Sequence, residues 1–94
     1  MTMNHNSFKT PGELGQIIAK NVRARRKASR LSLRQLSEMS GVSYGSMKRF
    51  ESSGEISLIS LLKISVVLDC TDEFEMLFAS AHPKSIKEII DGQL

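Results

Sequence analysis

"GVSYGSMKRFESSG", residues 41–54, decides how the rest of the chain is read. Gly41 and Gly54 bracket one short helix, since glycine is the common stop after a helical end. Ser43 is placed to cap it, and Val42 and Met47 are spaced to staple its entry. Met47 and Phe50 sit three residues apart and form its inward stripe. The outward positions mix Tyr44, Gly45, Ser46, Lys48 and Arg49. Such a face is either solvated or reads a partner, and the neighbouring sequence bears on which.

Upstream, "LSLRQL" (31–36) opens another helix with the same punctuation. Ser32 is the cap, Gln35 stands at the third helical position, and Leu31 and Leu36 form the staple. That helix ends at Gly41. Two short helices joined by three or four residues must cross steeply and present the second on the surface. Before them, "TPGE" (10–13) carries a capping box with proline at the first helical position. The first helix then runs from Pro11 to about Ala28, with Leu14, Ile17, Ile18 and Val22 as its expected inner stripe. Arg23, Arg25, Arg26, Lys27 and Arg30 gather at its C-terminal end, where cations favour the helix dipole. Downstream, "ISLISL" (56–61) offers Ser57 as cap and Ile56 and Leu61 as staple. Leu62, Ile64, Val66, Val67 and Leu68 continue it as an apolar, central helix. "TDEFEMLF" (71–78) is expected to begin on a cap at Thr71 and to turn Phe74, Leu77 and Phe78 inward.

The expected fold is therefore all-α: a compact five-helix bundle over residues 11–79, preceded by an arm (1–10) and followed by a tail (80–94). In the tail, Pro83 starts either a last turn with Ile86, Ile89 and Ile90 on one side or an extended segment. Ninety-four residues make one small domain. Aromatics are scarce, at 5%, and Trp is absent, which suits packed helices better than a sandwich of sheets. No alternating strand pattern competes.

Charge is unevenly placed. Residues 1–50 hold ten Lys and Arg against two Glu, a net of +8; residues 51–94 hold three Lys against eight Asp and Glu, a net of −5. The front half suits a polyanion, or is a basic face in water. No apolar run approaches the roughly 18 residues of a membrane span, and "MTMNHNSFKT" has no apolar signal region. A cytoplasmic protein with no membrane partner is expected. The single cysteine, Cys70, cannot form an internal disulfide, fits a reducing compartment, and reads as a buried structural thiol.

The stretch "VRARRKASRLSLRQLSEMSGVSYGSMKRFESSGEISLISLLKISVVLDC" resembles the phage-repressor helix-turn-helix family, of Cro/CI or XRE type, over about residues 12–79. The carrying pieces are Arg26, then Leu31, Ser32 and Leu36, then Gly41–Ser43, then Met47, Phe50 and Glu51, then the apolar helix ending in "LDC". The resemblance implies a repressor-like bundle and a transcriptional regulator, a repressor in most members, that binds double-stranded DNA at a palindromic operator as a homodimer. The second helix of the pair would lie in the major groove, which admits one α-helix. Residues matching the family's base readers are Tyr44, Gly45, Lys48 and Arg49. Arg49 is the candidate for a guanine edge, because its fork can bond O6 and N7 together. Candidates for the DNA backbone are Ser32, Arg34, Ser43, Ser46, Ser52 and Ser53. Arg26 and Glu51 match a scaffold pair that ties the first helix to the end of the third. Phe74, Phe78, Ile86, Ile89 and Ile90 are the candidates for a dimer or partner surface.

Two positions depart from the family. Leu33 stands where a glutamine often touches the DNA backbone, and Gly45 gives a reader position no side chain. Other functions fit these residues less well. His5 and His82 lie near opposite ends, no Cys/His cluster suits a metal, and no phosphate loop is present, so neither an enzyme nor a cofactor is expected. The rival is a protein-binding module: "GSMKRFESSGEISLISLLK" is similar to regulators encoded beside HipA-like kinases, the HipB-type antitoxins, which would hold a toxin protein as well as their own operator.

Overall fold

In the computed structural model, which describes residues 9–81, each of the first four helices begins on a hydroxyl. They are α1 (Pro11–Ala28), α2 (Leu33–Ser40), α3 (Tyr44–Ser53) and α4 (Leu58–Val67); α5 (Thr71–Glu75) follows. Thr10 accepts from the Glu13 N–H at 3.1 Å while its own N–H donates to the Glu13 carboxylate at 2.9 Å. Ser32 and Gln35 repeat this capping box at 3.0 and 2.8 Å. Ser43 and Ser57 each accept the N–H three residues on, at 3.1 Å. Each such cap stabilises its helix by about 1 kcal/mol. Gly41 (φ 79°) and Gly54 (φ 80°) end α2 and α3 in the left-handed conformation, which glycine adopts without steric cost. No strand occurs among the described residues. The all-α, five-helix expectation is the observed fold.

The core forms where α2, α3 and α4 meet. Leu36, Val42, Met47 and Ile64 are buried together, with Val22, Leu31, Leu33, Ile56, Val67 and Leu68 packed around them. The staple residues Leu31, Leu36, Val42, Met47 and Ile56 thus belong to the core or pack against it, while Leu61 is half-buried. Phe50 is also buried. Helix α1 packs on α3, α2 on both α3 and α4, and α5 on α4. Cys70 is buried and unpaired between α4 and α5.

Three expectations about side chains are corrected. Leu14, Ile17 and Ile18 do not form the inner face of α1; they are exposed, Leu14 by 48%. The inward seam runs instead through Gly15, Ala19, Val22 and Arg26, at helical spacing. Its small residues allow a backbone contact that a leucine stripe would forbid. A Cβ built on Gly15 would stand 2.7 Å from the Gly54 carbonyl oxygen, and one built on Gly54 would stand 2.6 Å from the Gly15 carbonyl carbon. The helix is therefore rotated to put glycine, rather than leucine, against the end of α3.

Thr71 does not cap α5. Only Leu68, Asp69 and Cys70 separate the two helices, so Cys70 takes the cap position, with no side-chain capping bond, and Thr71 becomes the first helical residue. The helix then stops at Glu75. Phe74 is half-buried, while Leu77 and Phe78 point outward, Phe78 at 95% exposure with a left-handed φ of 59°. Helix α4 is less central than its composition suggests: Ile64 and Ser65 are buried, but Leu58, Ile59 and Val66 are exposed. A ten-residue helix held by neighbours on one side cannot bury apolar residues all round. The greater part of the arm, the alternatives at Pro83, and Ile86, Ile89 and Ile90 lie outside the described residues.

Candidate nucleic-acid interface

The pose of α3 is fixed from three directions. Met47 and Phe50 anchor its inner face in the core, each about as buried as Leu36. At its start, hydroxyls hold the connection from α2. Buried Ser37 donates to the Val42 carbonyl at 2.6 Å, and Ser40 accepts from the Val42 N–H at 3.1 Å. A buried carbonyl left without a donor would be destabilising, so Ser37 is part of the turn's architecture. At its end, Glu51 meets Arg26 of α1 at 3.3 Å. Arg26 also donates to the Leu31 carbonyl at 2.8 Å, the residue before the α2 cap. One buried guanidinium therefore links α1, the start of α2 and the end of α3. Its Nε is buried without a partner, which leaves this link less than fully satisfied.

With that pose, Gly45, Lys48 and Arg49 are exposed on α3, and Tyr44 is half-buried. Tyr44 is not a free-standing side chain. The Arg34 guanidinium lies 4.1 Å from its ring centroid, and the Lys48 ammonium lies 5.7 Å from it. Cations over an exposed aromatic face gain about 0.5–1 kcal/mol each. The ring thus serves as a platform for one cation from α2 and one from α3. These charges stand near the capped N-termini of both helices, where backbone N–H groups also favour an anion.

Among the described residues, nothing beyond its chain neighbours and its own helical backbone lies within 4 Å of a Cβ built on Gly45. The fold does not require glycine there, so the missing side chain leaves open surface between the Tyr44 platform and Arg49. The serines are all engaged locally. Ser32 and Ser43 act as caps, Ser43 also donates to the Ser46 hydroxyl at 2.9 Å, and Ser52 and Ser53 donate to the Arg49 carbonyl at 3.1 and 2.7 Å. Ser52 and Ser53 therefore close the helix end with their hydrogens.

Sequence reasoning missed Glu55. Its carboxylate takes Arg49 Nη2 at 2.7 Å, and both side chains are mostly exposed, at 71% and 67%. A cleft of about 360 Å³ opens beside the pair, lined also by Ser46, Ile56, Ser57 and Ser60 at the start of α4. The separation of six residues across a glycine turn lies outside the three- and four-residue rule for helical ion pairs. A third pair, Arg25 with Glu73, ties α1 to α5, and the Glu73 carboxylate, first by hydrogen bond and then by charge, raises the Arg25 pKa above its ordinary value.

The site's chemistry is that of a cationic, hydrogen-bonding surface with an exposed helix. Among the described residues no group of His, Cys, Asp and Glu could hold a metal ion, and no helix is long and apolar enough to cross a membrane. A family model described as helix-turn-helix matches residues 22–74, more than half of the chain. The match spans Arg26, the α2–α3 turn, the exposed positions of α3 and Glu55. Neither a curated protein nor a solved structure matches the chain.

Proposed function

The chain belongs to the helix-turn-helix family, of the phage-repressor or XRE type, and is a DNA-binding regulator; on that premise we propose that it represses transcription as a dimer on a palindromic operator, with α3 in the major groove. The observation that supports this reading best is the contrast along α3. Met47 and Phe50 are fully buried, while Gly45, Lys48 and Arg49 face outward beside the Arg34–Tyr44–Lys48 cluster. A helix held so firmly on one side and left polar and cationic on the other fits a groove about 12 Å wide. Arg49 takes the guanine edge, Gly45 admits a base edge or sugar closely, and Lys48 and Arg34 meet phosphates. The capping serines Ser32 and Ser43, and Ser46 in the first turn of α3, sit where helix N-termini offer N–H groups to the duplex backbone.

Titration with duplex from the chain's own promoter, followed by fluorescence anisotropy, tests the reading. Binding that uses about six phosphate contacts should weaken about a thousandfold between about 50 and about 200 mM salt. Arg49→Ala should cost a further factor of about 5 to 150, the worth of one bidentate base contact. Affinity indifferent to salt and to Arg49→Ala would refute it.

A single helix-turn-helix unit has few contacts, and two-fold pairing places two of them one helical turn apart. Phe74 and the exposed Phe78 are our candidates for that pairing, together with Ile86, Ile89 and Ile90. Sedimentation of Phe78→Asp should show monomer where the parent chain shows dimer. A second reading draws on Leu58, Ile59 and Val66 along α4 and on Met76 and Leu77, all exposed and apolar. These suit a protein partner such as the toxin of a HipB-type pair, and co-purification with the product of the adjacent gene tests that.

A further inference from the structure

The geometry points to Glu55 as a specificity-determining residue that acts through Arg49. The inference rests on the major-groove reading above and adds to it a positioning residue that stands outside α3.

The Glu55 backbone is fixed before its side chain is considered. Gly54, in the left-handed conformation, donates its N–H to the Phe50 carbonyl at 2.8 Å. The Ser53 hydroxyl donates to the Arg49 carbonyl at 2.7 Å and accepts the Glu55 N–H at 3.1 Å. The same residue whose guanidinium meets Glu55 thus carries, through its own carbonyl and Ser53, the bond that sets where Glu55 stands. Gly54 is in turn locked against Gly15 of α1. The point from which Glu55 extends is therefore fixed by the fold, and from it the exposed carboxylate reaches Arg49.

An arginine on a helix surface has many rotamers. It must give them up to present two parallel N–H groups to guanine O6 and N7. Glu55 holds one hydrogen of Nη2 at 2.7 Å. The other hydrogen of Nη2 and those of Nη1 remain for the base, so the fork stays competent while its orientation is restricted. Ordering one such side chain in advance changes affinity by about 2- to 12-fold. The pair serves poorly as a mask for Arg49, because an exposed ion pair of this kind weakens a competing contact by at most about fivefold. Its effect falls instead on discrimination: a guanidinium already aimed at one edge loses more when that edge is wrong. The carboxylate also repels a phosphate that slides into the same place, which disfavours unregistered binding.

Selection from a randomised duplex pool, followed by sequencing and by titration of the selected and a scrambled duplex, tests this. Parent chain, Arg49→Ala, Glu55→Gln and Glu55→Ala are compared. The parent chain is expected to select guanine at one position of each half-site, and Arg49→Ala to abandon that position. Glu55→Ala should lower discrimination there by about 2- to 5-fold, with other positions kept. Binding to the scrambled duplex should hold or strengthen. Glu55→Gln, which retains an acceptor for Nη2, should fall between. Thermal midpoints close to the parent's are expected for both Glu55 variants, so a change in selectivity is not a folding defect. The inference is overturned if Glu55→Ala keeps the parent's weight at the guanine position. It is overturned too if Glu55→Ala strengthens binding to every duplex by one factor, since the carboxylate would then act only as a charge. An Arg49→Ala chain that still selects the guanine would sink the inference while DNA binding stands. A parent chain that selects no sequence would remove the major-groove reading itself.

Discussion

The same substitution, glycine to alanine, should have opposite effects at two helical glycines of this protein. Gly15 lies in α1 and Gly45 in α3. Each gains helix propensity on substitution, by about 0.5–1 kcal/mol. At Gly45 nothing within 4 Å meets the new methyl group, so that gain stands alone. At Gly15 the methyl carbon would stand 2.7 Å from the Gly54 carbonyl oxygen and 3.4 Å from its carbon. That oxygen is backbone, and its residue is held by a left-handed turn and an N–H bond to Phe50, so it cannot swing away. Either α1 and the end of α3 part by more than half an ångström, or the turn distorts, and overpacking of this kind costs about 1–3 kcal/mol. Intrinsic propensity nearly cancels in the comparison, leaving the clash. For a domain of this size each kcal/mol moves the melting temperature by about 4–8 °C. Gly45→Ala should therefore melt a few degrees above the parent chain, and Gly15→Ala roughly 5 to 20 °C below Gly45→Ala. Circular dichroism during heating reads both. A Gly15→Ala chain as stable as Gly45→Ala would show that α1 and α3 do not meet backbone to backbone, and the rotation of α1 described above would be wrong. DNA titration adds a second axis. If the duplex reaches the surface at Gly45, the more stable Gly45→Ala chain binds its operator less tightly.

Other outcomes follow from single contacts. Arg26→Met strands the Glu51 carboxylate and the Leu31 carbonyl, and should lower stability by about 3 kcal/mol or more in urea titrations, whereas Arg26→Met combined with Glu51→Leu should recover much of the loss. Ser43→Ala and Ser57→Ala each remove a cap and should each lower stability by about 1 kcal/mol, but only the first should also weaken DNA binding beyond what the stability loss explains. Arg34→Ala removes the cation stacked on Tyr44; the slope of log affinity against log salt should become shallower by about one, with sequence preference unchanged.

How much of this was legible beforehand depended on the range of the interaction. Caps, staples and glycine stops act within six residues, and they are written locally, so the starts of α1 to α4 and the ends of α2 and α3 could be read directly. The inward residues of α3 were legible for a related reason: Met47 and Phe50 are large, and a short helix with few apolar positions leaves little choice. The face of α1 was not. Periodicity follows large side chains to Leu14, Ile17 and Ile18, but a seam made by Gly15 and Ala19 gives no hydrophobic signal. Its existence depends on Gly54, far along the chain, arriving as bare backbone. The start of α5 was not legible either, because Thr71 has the chemistry of a cap but stands one residue too late after the turn at Asp69.

The functional face divides along the same line. Exposure of Lys48 and Arg49 follows from the burial of Met47 and Phe50 on the opposite side of one helix, so it needs only local geometry. What those side chains do with their exposure depends on residues brought from elsewhere. Tyr44 reads as a base contact in the sequence, yet Arg34 of α2 lies over its ring and makes it a platform. Arg49 reads as an unattached fork, yet Glu55 arrives beyond the glycine turn to hold it. In both cases the fold converts a side chain free to sample many directions into one with a preferred direction. Affinity for a polyanion needs only the charges, which composition already reveals. On the proposed reading, choice among sequences needs the direction of Arg49, which is why Glu55, outside α3, bears on specificity while Arg34 supplies charge.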